Sequence, residues 1–427
     1  MPKNKSKRGK GRQIEMHSDD ESINDNMSVI SVQSDDCGGS LEDGGGGVED
    51  VGNVAEKFEE KFAQAMENAT EKSIQARVSA LQAACEILML RFMPDYVDDR
   101  KITLIDIIEK SLRRGKGAEQ GNAAKLASLL SIQLAGDDII PKGLNQTLIV
   151  MSQDNAVTFD ARAKCCSSLG LINFLSEDNI GEILNLMKMF ETIFCGSFLK
   201  GDHTPSSASA EAAILHCAAL QAWSLLLTLI PPGDLVSIMK QRSLLPTLPN
   251  LMGMLRSPHL EVRMAAGEAI ALVLECGRIH DEDFMDEHIA DLIEMTKQLA
   301  TDSQKFRAKR DRKTQRATFR DVLRYIEEEI SPEINVRIGK ETLVLNTWSM
   351  HHQYTAVCSA IGSGITVHLA ENDFLRDVLQ LGEKFLTVGS VAVKQTKLEK
   401  HLINAAAFKA RTISRSKNRD KRSAVIN

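Results

Sequence analysis

The stretch LEVRMAAGEAI, residues 260–270, places an arginine at 263 ahead of small residues three and six positions on, Ala266 and Ala269. IQARVSALQAA (74–84) repeats the arrangement with Arg77, Ala80 and Ala83, and FDARAKCCSSL (159–169) does so with Arg162, Cys165 and Ser168. Weaker copies, QGNAAKLASLL at 120–130 and HCAALQAWSLL at 216–226, fall between them with Ala123 and Ala219 in the small-residue position. The aligned starts at 77, 120, 162, 216 and 263 lie 43, 42, 54 and 47 residues apart. Such intervals match armadillo or HEAT-type helical repeats of about 40–47 residues, with one insertion near HTPSSASAE (203–211). A small side chain every third or fourth residue lets neighbouring helices approach closely, while Leu and Ile on the same face fill the groove. The expected fold is all-α, an armadillo/HEAT-like solenoid over residues 54–330.

Composition agrees with helices. Apolar residues make up 43% of the chain and aromatics only 4%, so the core is built from Leu, Ile, Ala and Met, which suit packed helices better than sheets. Gly115 and Gly117, Pro141, Pro231-Pro232-Gly233, Pro246 and Ser257-Pro258 mark breaks between helices. No uninterrupted apolar run of about 18 residues predicts a membrane span, and MPKNKSKRGKGR lacks the hydrophobic core of a secretory signal. The cysteines, Cys37, Cys85, Cys165, Cys166, Cys195, Cys217, Cys276 and Cys358, form no CxxC pair. They read as small buried thiols in a reducing compartment, nucleus or cytoplasm.

The flanks differ in character. Residues 1–53 combine a basic cluster (Lys3, Lys5, Lys7, Arg8, Lys10, Arg12) with an acidic Ser/Asp/Gly segment ending in GGGG at 44–47. So little apolar area predicts a disordered tail, and Ser18 and Ser34, each followed by acidic residues, suit an acid-preferring kinase. Residues 331–385 read as a small cap on the end of the array. There NVRIG and ETLVLNTW (335–339 and 341–348) have the alternation of short strands, GSG at 362–364 marks a turn, and NDFLRDVLQL (372–381) is amphipathic. Residues 386–427 form a basic C-terminal segment.

A net charge of −6 hides local blocks of positive charge. KFRAKRDRKTQRATFRDVLR (305–324) holds nine Lys or Arg against Asp311 and Asp321. Drawn as a helix over 309–330, it aligns Lys309, Lys313, Arg316, Arg320 and Arg324 in one stripe, with neighbours about 5–6 Å apart. Phe319, Val322, Leu323, Ile326 and Ile330 form a second stripe suited to docking on the last repeat. The bland alternative is a solvated helix whose cations pair with Glu327, Glu328 and neighbouring repeats. In FKARTISRSKNRDKR (408–422), Arg411, Arg415, Arg419 and Arg422 share a stripe, while Lys409, Lys417 and Lys421 point elsewhere. Like charges so close hold the segment open in water, and phosphates would allow it to fold. LEKHLINAAAF (398–408) before it is amphipathic enough to anchor it to the body. A nuclear-import signal is the competing explanation for the same residues, and the two are not exclusive.

Catalytic signatures are missing: there is no G-x-x-x-x-G-K-[ST], no G-x-G-x-x-G after a strand, no G-x-S-x-G and no H-E-x-x-H. His351 and His352, adjacent on a helix, point about 100° apart and do not converge on one metal. No enzyme activity, cofactor, metal or small-molecule substrate is expected.

KFRAKRDRKTQRATFRDVLR, AAFKARTISRSKNRDKR (406–422), RMAAGEAIALVLE (263–275) and the MPKN opening together resemble the interferon-related developmental regulators. The likeness runs from about residue 55 onward. It implies an armadillo-like, non-enzymatic protein with one of two roles. One is binding to translationally inactive ribosomes, with Lys409, Arg411, Arg415, Lys417, Arg419, Lys421 and Arg422 contacting rRNA in an RNA-lined channel. The other is transcriptional co-regulation in differentiation through histone-deacetylase corepressor proteins. The basic blocks favour the first role, with Lys309, Lys313, Arg316, Arg320 and Arg324 as further RNA contacts. No membrane partner is expected.

Overall fold

The computed structural model describes residues 51–382 and Lys384, apart from 177–178, 242–244 and 303–307. The first helix, α1 (Val51–Asn68), begins inside the stretch expected to be disordered, so the body starts at 51 rather than 54. Residues 1–50 and 385–427 lie outside the described part.

Helices pair along the chain: α1 with α2 (Ile74–Leu90), then, after the short α3 (Pro94–Asp98), α4 (Lys101–Arg114) with α5 (Ala118–Gln133). There follow α6 (Ile139–Gln153) with α7 (Phe159–Leu175), and α8 (Ile180–Phe194) with α9 (Ala210–Leu227). Next, α10 (Pro232–Gln241) and α11 (Leu248–Met254) pack on α12 (Leu260–Arg278), and α13 (Ile289–Thr301) packs on α14 (Lys309–Glu328). The second helix of each pair also packs on that of the next, so α2, α5, α7, α9, α12 and α14 form a continuous inner ladder. These are the five helices of the sequence repeat, in order, plus one more.

Local chemistry starts the helices where the repeats begin. Ser73, Thr158, Ser209 and Thr247 each accept a backbone N–H of the first turn with the side-chain hydroxyl, worth about 1 kcal/mol apiece. The small residues then lie at the crossings. Ala80, Ala123, Cys165, Ala219, Ala266 and Ala269 are buried, and a β-carbon on Gly170 of α7 would come within 2.8 Å of Ala222 Cβ of α9. Between α5 and α7, Ser168 Oγ donates to Ala124 O at 2.6 Å and Ser128 Oγ donates to Ser168 Oγ at 2.8 Å. Polar small residues are tolerated there because each hydroxyl is satisfied.

The repeat arginines tie the pairs together. Arg77, Arg162 and Arg263 each stand four residues beyond an N-cap, at Ser73, Thr158 and His259. From there the guanidinium reaches back to the preceding loop or last helical turn: Arg77 to Glu71 O and Lys72 O, Arg162 to Ser152 O at the end of α6, Arg263 to Ser257 O. Two of them also reach forward along the ladder. Arg77 pairs with Glu119 at 2.6 Å, and Arg263 Nη2 donates to Gln315 Oε1 at 2.6 Å. Arg312 stands in the same place, four beyond the N-cap Ala308 of α14. The basic segment is therefore a sixth copy of the repeat, with the buried Gln315 where the other copies place a small residue.

Helix α9 is long and apolar enough to cross a membrane, with a mean hydropathy of 1.4, although the sequence predicts no such span. Trp223, Leu226 and Leu227, all fully buried, show why: it lies in the middle of the ladder and its apolar residues are mostly packed against neighbouring helices, although Ile214 stays exposed. Pro141 marks a helix start rather than sitting in the break itself. It lies in the first turn of α6, where its missing N–H costs no hydrogen bond. Of the cysteines, Cys195 is exposed rather than buried.

After α14, Ile334–Ile338 (β1) and Glu341–Leu345 (β2) form an antiparallel hairpin, turned by Gly339 at φ +61°. The rest does not form a cap on the last repeat. α15 (Trp348–Ile361) packs on α12, α9, α7, α5 and α2 in turn, running back along the ladder. Glu275 of α12 starts it, its carboxylate accepting from Trp348 N at 2.7 Å and Ser349 N at 2.8 Å. Along the way His352 Nε2 donates to Glu268 O and Gln353 Nε2 to Thr228 Oγ1. GSG forms a single 3-10 turn, in which Gly364 packs so closely on Met89 O that no β-carbon fits. α16 (Ile365–Glu371) then sends His368 Nε2 to Leu88 O at 3.0 Å, and Asn372 Nδ2 reaches Ile132 O at 3.0 Å. In α17 (Asp373–Val378), Arg376 is 2% exposed and pairs with Glu341 of β2 at 2.8 Å, closing the strap on its own hairpin. Asn372 and Arg376 are buried polar groups with their partners supplied, which fastens the strap to particular repeats.

Candidate nucleic-acid interface

Helix α14 has two unlike faces. Gln315, Phe319, Val322, Tyr325 and Ile326 are buried against α12 and α13. Phe319 lies over Gly267 of α12 and Tyr325 meets Trp348 edge-on, with ring centroids 6.4 Å apart. Leu323 is half-buried. Ile330, expected on the docking stripe, is 41% exposed, because the helix stops at Glu328 and Glu329 turns left-handed at φ +57°.

On the other side Lys309, Lys313, Arg320 and Arg324 are exposed and Arg316 is half-buried. The stripe drawn from the sequence thus lies along one face of a real helix. Arg310, which the stripe omits, is exposed beside Lys309. Arg312, one position from Lys313, turns inward as the repeat arginine, its Nε buried. Pairing of the kind expected of a merely solvated helix is present at the far end. There Arg324 Nε approaches Glu328 Oε2 at 3.4 Å, Lys297 binds Glu327 at 2.6 Å, and Arg278 binds Glu329 at 3.2 Å. Among the described residues Arg316 and Arg320 make no ion pair within 4 Å. Lys409, Arg411, Arg415, Lys417, Arg419, Lys421 and Arg422 lie outside the described residues.

The polarity of α14 opposes helix stability. Lys309, Arg310, Arg312 and Lys313 crowd the end where the backbone dipole is already positive, while Glu327 and Glu328 occupy the negative end. Each such placement costs an isolated helix about 0.3–1 kcal/mol. Basic side chains and free N–H groups add up to one positive end. Arg312 belongs to the repeat and Asp311 in the same turn offsets part of the charge, while Lys309, Arg310 and Lys313 stand exposed at the positive end.

Beneath the row, two carboxyls lie where α12, α14 and α15 meet. Burial, helped by the neighbouring Asp321 charge, raises the Glu268 carboxyl to about 7. Asp321 is also raised, by burial, against the pull of Arg324 and Arg320. Burial lowers His352, which donates to the Glu268 backbone, to about 4. His351 turns away from it to Pro332 O at 2.8 Å, so the adjacent histidines do not share a ligand. A separate mixed-charge cavity of 860 Å³ between α11 and α13 carries Arg256, His203 and His288 alongside Asp291 and Glu294, a lining with no preference for anions.

Residues 26–327 match the family described as interferon-related developmental regulator, and residues 372–423 match the interferon-related protein conserved region. Mouse interferon-related developmental regulator 2 is 39% identical over 412 residues, 93% of this chain and 89% of that protein. Human interferon-related developmental regulator 1 is 35% identical over 422 residues, 98% and 92% respectively. A Schizosaccharomyces pombe protein of uncharacterised role is 27% identical over 205 residues, 43% of this chain. By both the family match and the near full-length identity, the chain belongs to the interferon-related developmental regulator family.

Proposed function

We propose that this member is a non-enzymatic regulator that binds structured RNA, most concretely the rRNA of a translationally inactive ribosome. The phosphate-binding surface proposed on the described residues is the outer face of α14, and the basic sequence at 408–422 supplies a second, independent set of cations. The observation that carries the reading is the cation-rich start of α14. Lys309, Arg310 and Lys313 are exposed where the helix dipole disfavours them, on a helix held by a fully buried opposite face. A rigid mount lets the row meet a polyanion without first ordering its backbone. Few aromatics accompany the cations, so the contact is to backbone phosphates rather than to stacked bases.

The alternative reading, a nuclear scaffold for histone-deacetylase corepressor proteins, needs a free repeat surface. Solenoids commonly bind partners along their inner face. Here α15 and the residues after it lie along the α2–α12 ladder, so that face is covered by the chain itself. This favours the RNA reading.

Sedimentation with ribosomal particles through sucrose tests it. With about six phosphates contacted, affinity falls roughly a thousandfold between 50 and 200 mM salt. The variant with Lys309, Lys313, Arg320 and Arg324 all changed to Glu should stay at the top of the gradient at 50 mM salt. Unchanged co-sedimentation of that variant, or no co-sedimentation of the native chain, defeats the proposal.

A further inference from the structure

Every inner helix from α5 to α12 has an inner helix on both sides, whereas α2 has α5 on one side only. Its other edge carries the same kind of stripe that admits a neighbour elsewhere in the ladder: Ala76, Ala80, Ala83, Ile87 and Leu90, at steps of 4, 3, 4 and 3. With Phe58 and Ala65 of α1, this stripe forms the apolar floor of a groove of 620 Å³, whose rim carries Lys61, Gln64, Asn68, Ser79 and Glu86. Leu90 is 43% exposed there. Terminal repeats ordinarily turn a polar face outward. This one does not.

We infer that the groove is a docking slot for the chain's own residues 18–33, which take the place of a preceding inner helix. Within residues 1–50 this is the stretch with apolar side chains at helical spacing, Ile23, Met27 and Ile30 at steps of 4 and 3. It opens with Ser18-Asp-Asp-Glu21, a serine followed three residues later by glutamate, the sequence signature of a helix start. Charge agrees at the rim. Lys61 and Arg91 flank the Phe58 ring, 5.8 and 4.4 Å from its centroid, and suit Asp19, Asp20, Glu21 and Asp25; Glu86 is the one acidic residue in the lining. Length agrees as well. The 17 residues between Gln33 and Val51 span up to about 60 Å, and α1, which lines the slot, is about 27 Å long. Tethering so short gives an effective concentration of ~1 mM, so a segment of only ~0.1 mM intrinsic affinity stays bound. The inference is independent of the RNA reading, since α14 lies at the other end of the ladder.

The test uses the full-length chain and a labelled synthetic peptide of residues 16–34, read by fluorescence anisotropy. Changing Met27→Asp and Ile30→Asp together alters no residue of the helical stack and should vacate the slot. The peptide should then bind at least about tenfold more tightly than it binds the native chain. Adding Ser79→Arg, an exposed position in the groove lining, should abolish that binding. Equal binding to the native and Met27→Asp/Ile30→Asp chains, or binding to neither, overturns the inference. So does a concentration-dependent dimer of the native chain that Ser79→Arg dissolves, since the slot's occupant is then a second copy.

Discussion

Gly267 of α12 and Phe319 of α14 approach so closely that a β-carbon at 267 would stand 2.8 Å from Phe319 Cε1. This crossing is what holds the cationic helix against the ladder. Replacing Gly267 with Leu forces the ring out of a fully buried site and should cost about 1–3 kcal/mol. Thermal unfolding measures that loss, and protection of α14 amides in hydrogen exchange should fall with it. Gly267→Ala is the informative control. It gains helix propensity of about 0.5–1 kcal/mol, so its sign reports whether the ring can give way.

Lys309 gives a prediction of opposite signs. At the positive end of α14 its charge opposes the dipole, so Lys309→Glu should raise stability by about 0.3–1 kcal/mol. The same change should weaken binding to a structured RNA and lower the slope of log affinity against log salt by about one phosphate equivalent. Urea denaturation and a salt titration read the two effects separately. A variant that loses both stability and affinity would show that Lys309 serves the fold.

The buried acid beneath the row makes stability depend on pH. Because Glu268 is raised to about 7 in the folded chain, from the ordinary carboxylate value of 4.5, its stabilising contribution is complete below about 4.5 and is lost as pH rises through 7. Glu268→Gln should therefore unfold at a higher temperature than the native chain at pH 8 and at the same temperature near pH 4.5. The histidines act the other way. His216 and His352 are lowered to about 4 by burial, so the stability they carry is present above 6.5 and drains as pH falls toward 4.

Arg376 locks the strap. It pairs with Glu341 and also donates to Leu369 O and Gly382 O from an almost fully buried position. Arg376→Ala leaves those acceptors and a carboxylate without their donor, at a cost of about 3–5 kcal/mol. Limited proteolysis should show cleavage appearing first within residues 365–382, ahead of the ladder helices.

The ladder was legible because its cause is local and repeats: an arginine one turn inside each strong copy, small residues three and six places later, apolar residues on the same face. The hairpin was legible from its alternation and Gly339. Arg312 hid the sixth repeat, because its copy carries Gln315 and Thr318 where Ala or Cys was the signal, and the surrounding charge drew attention to the surface. The GSG turn and the amphipathic 372–381 could be read, but not the path of residues 346–382 across the ladder. His368 meets Leu88 280 residues away in the chain, and Asn372 meets Ile132 240 residues away. Such contacts depend on the shape of a face that exists only after the repeats have stacked. The amino-acid order by itself determined the period of the helices and the block of cations. Only the tertiary structure decided that Lys313 points to solvent while Arg312 turns inward, since one residue is about 100° around a helix and the neighbouring helices α12 and α13 choose which side is buried.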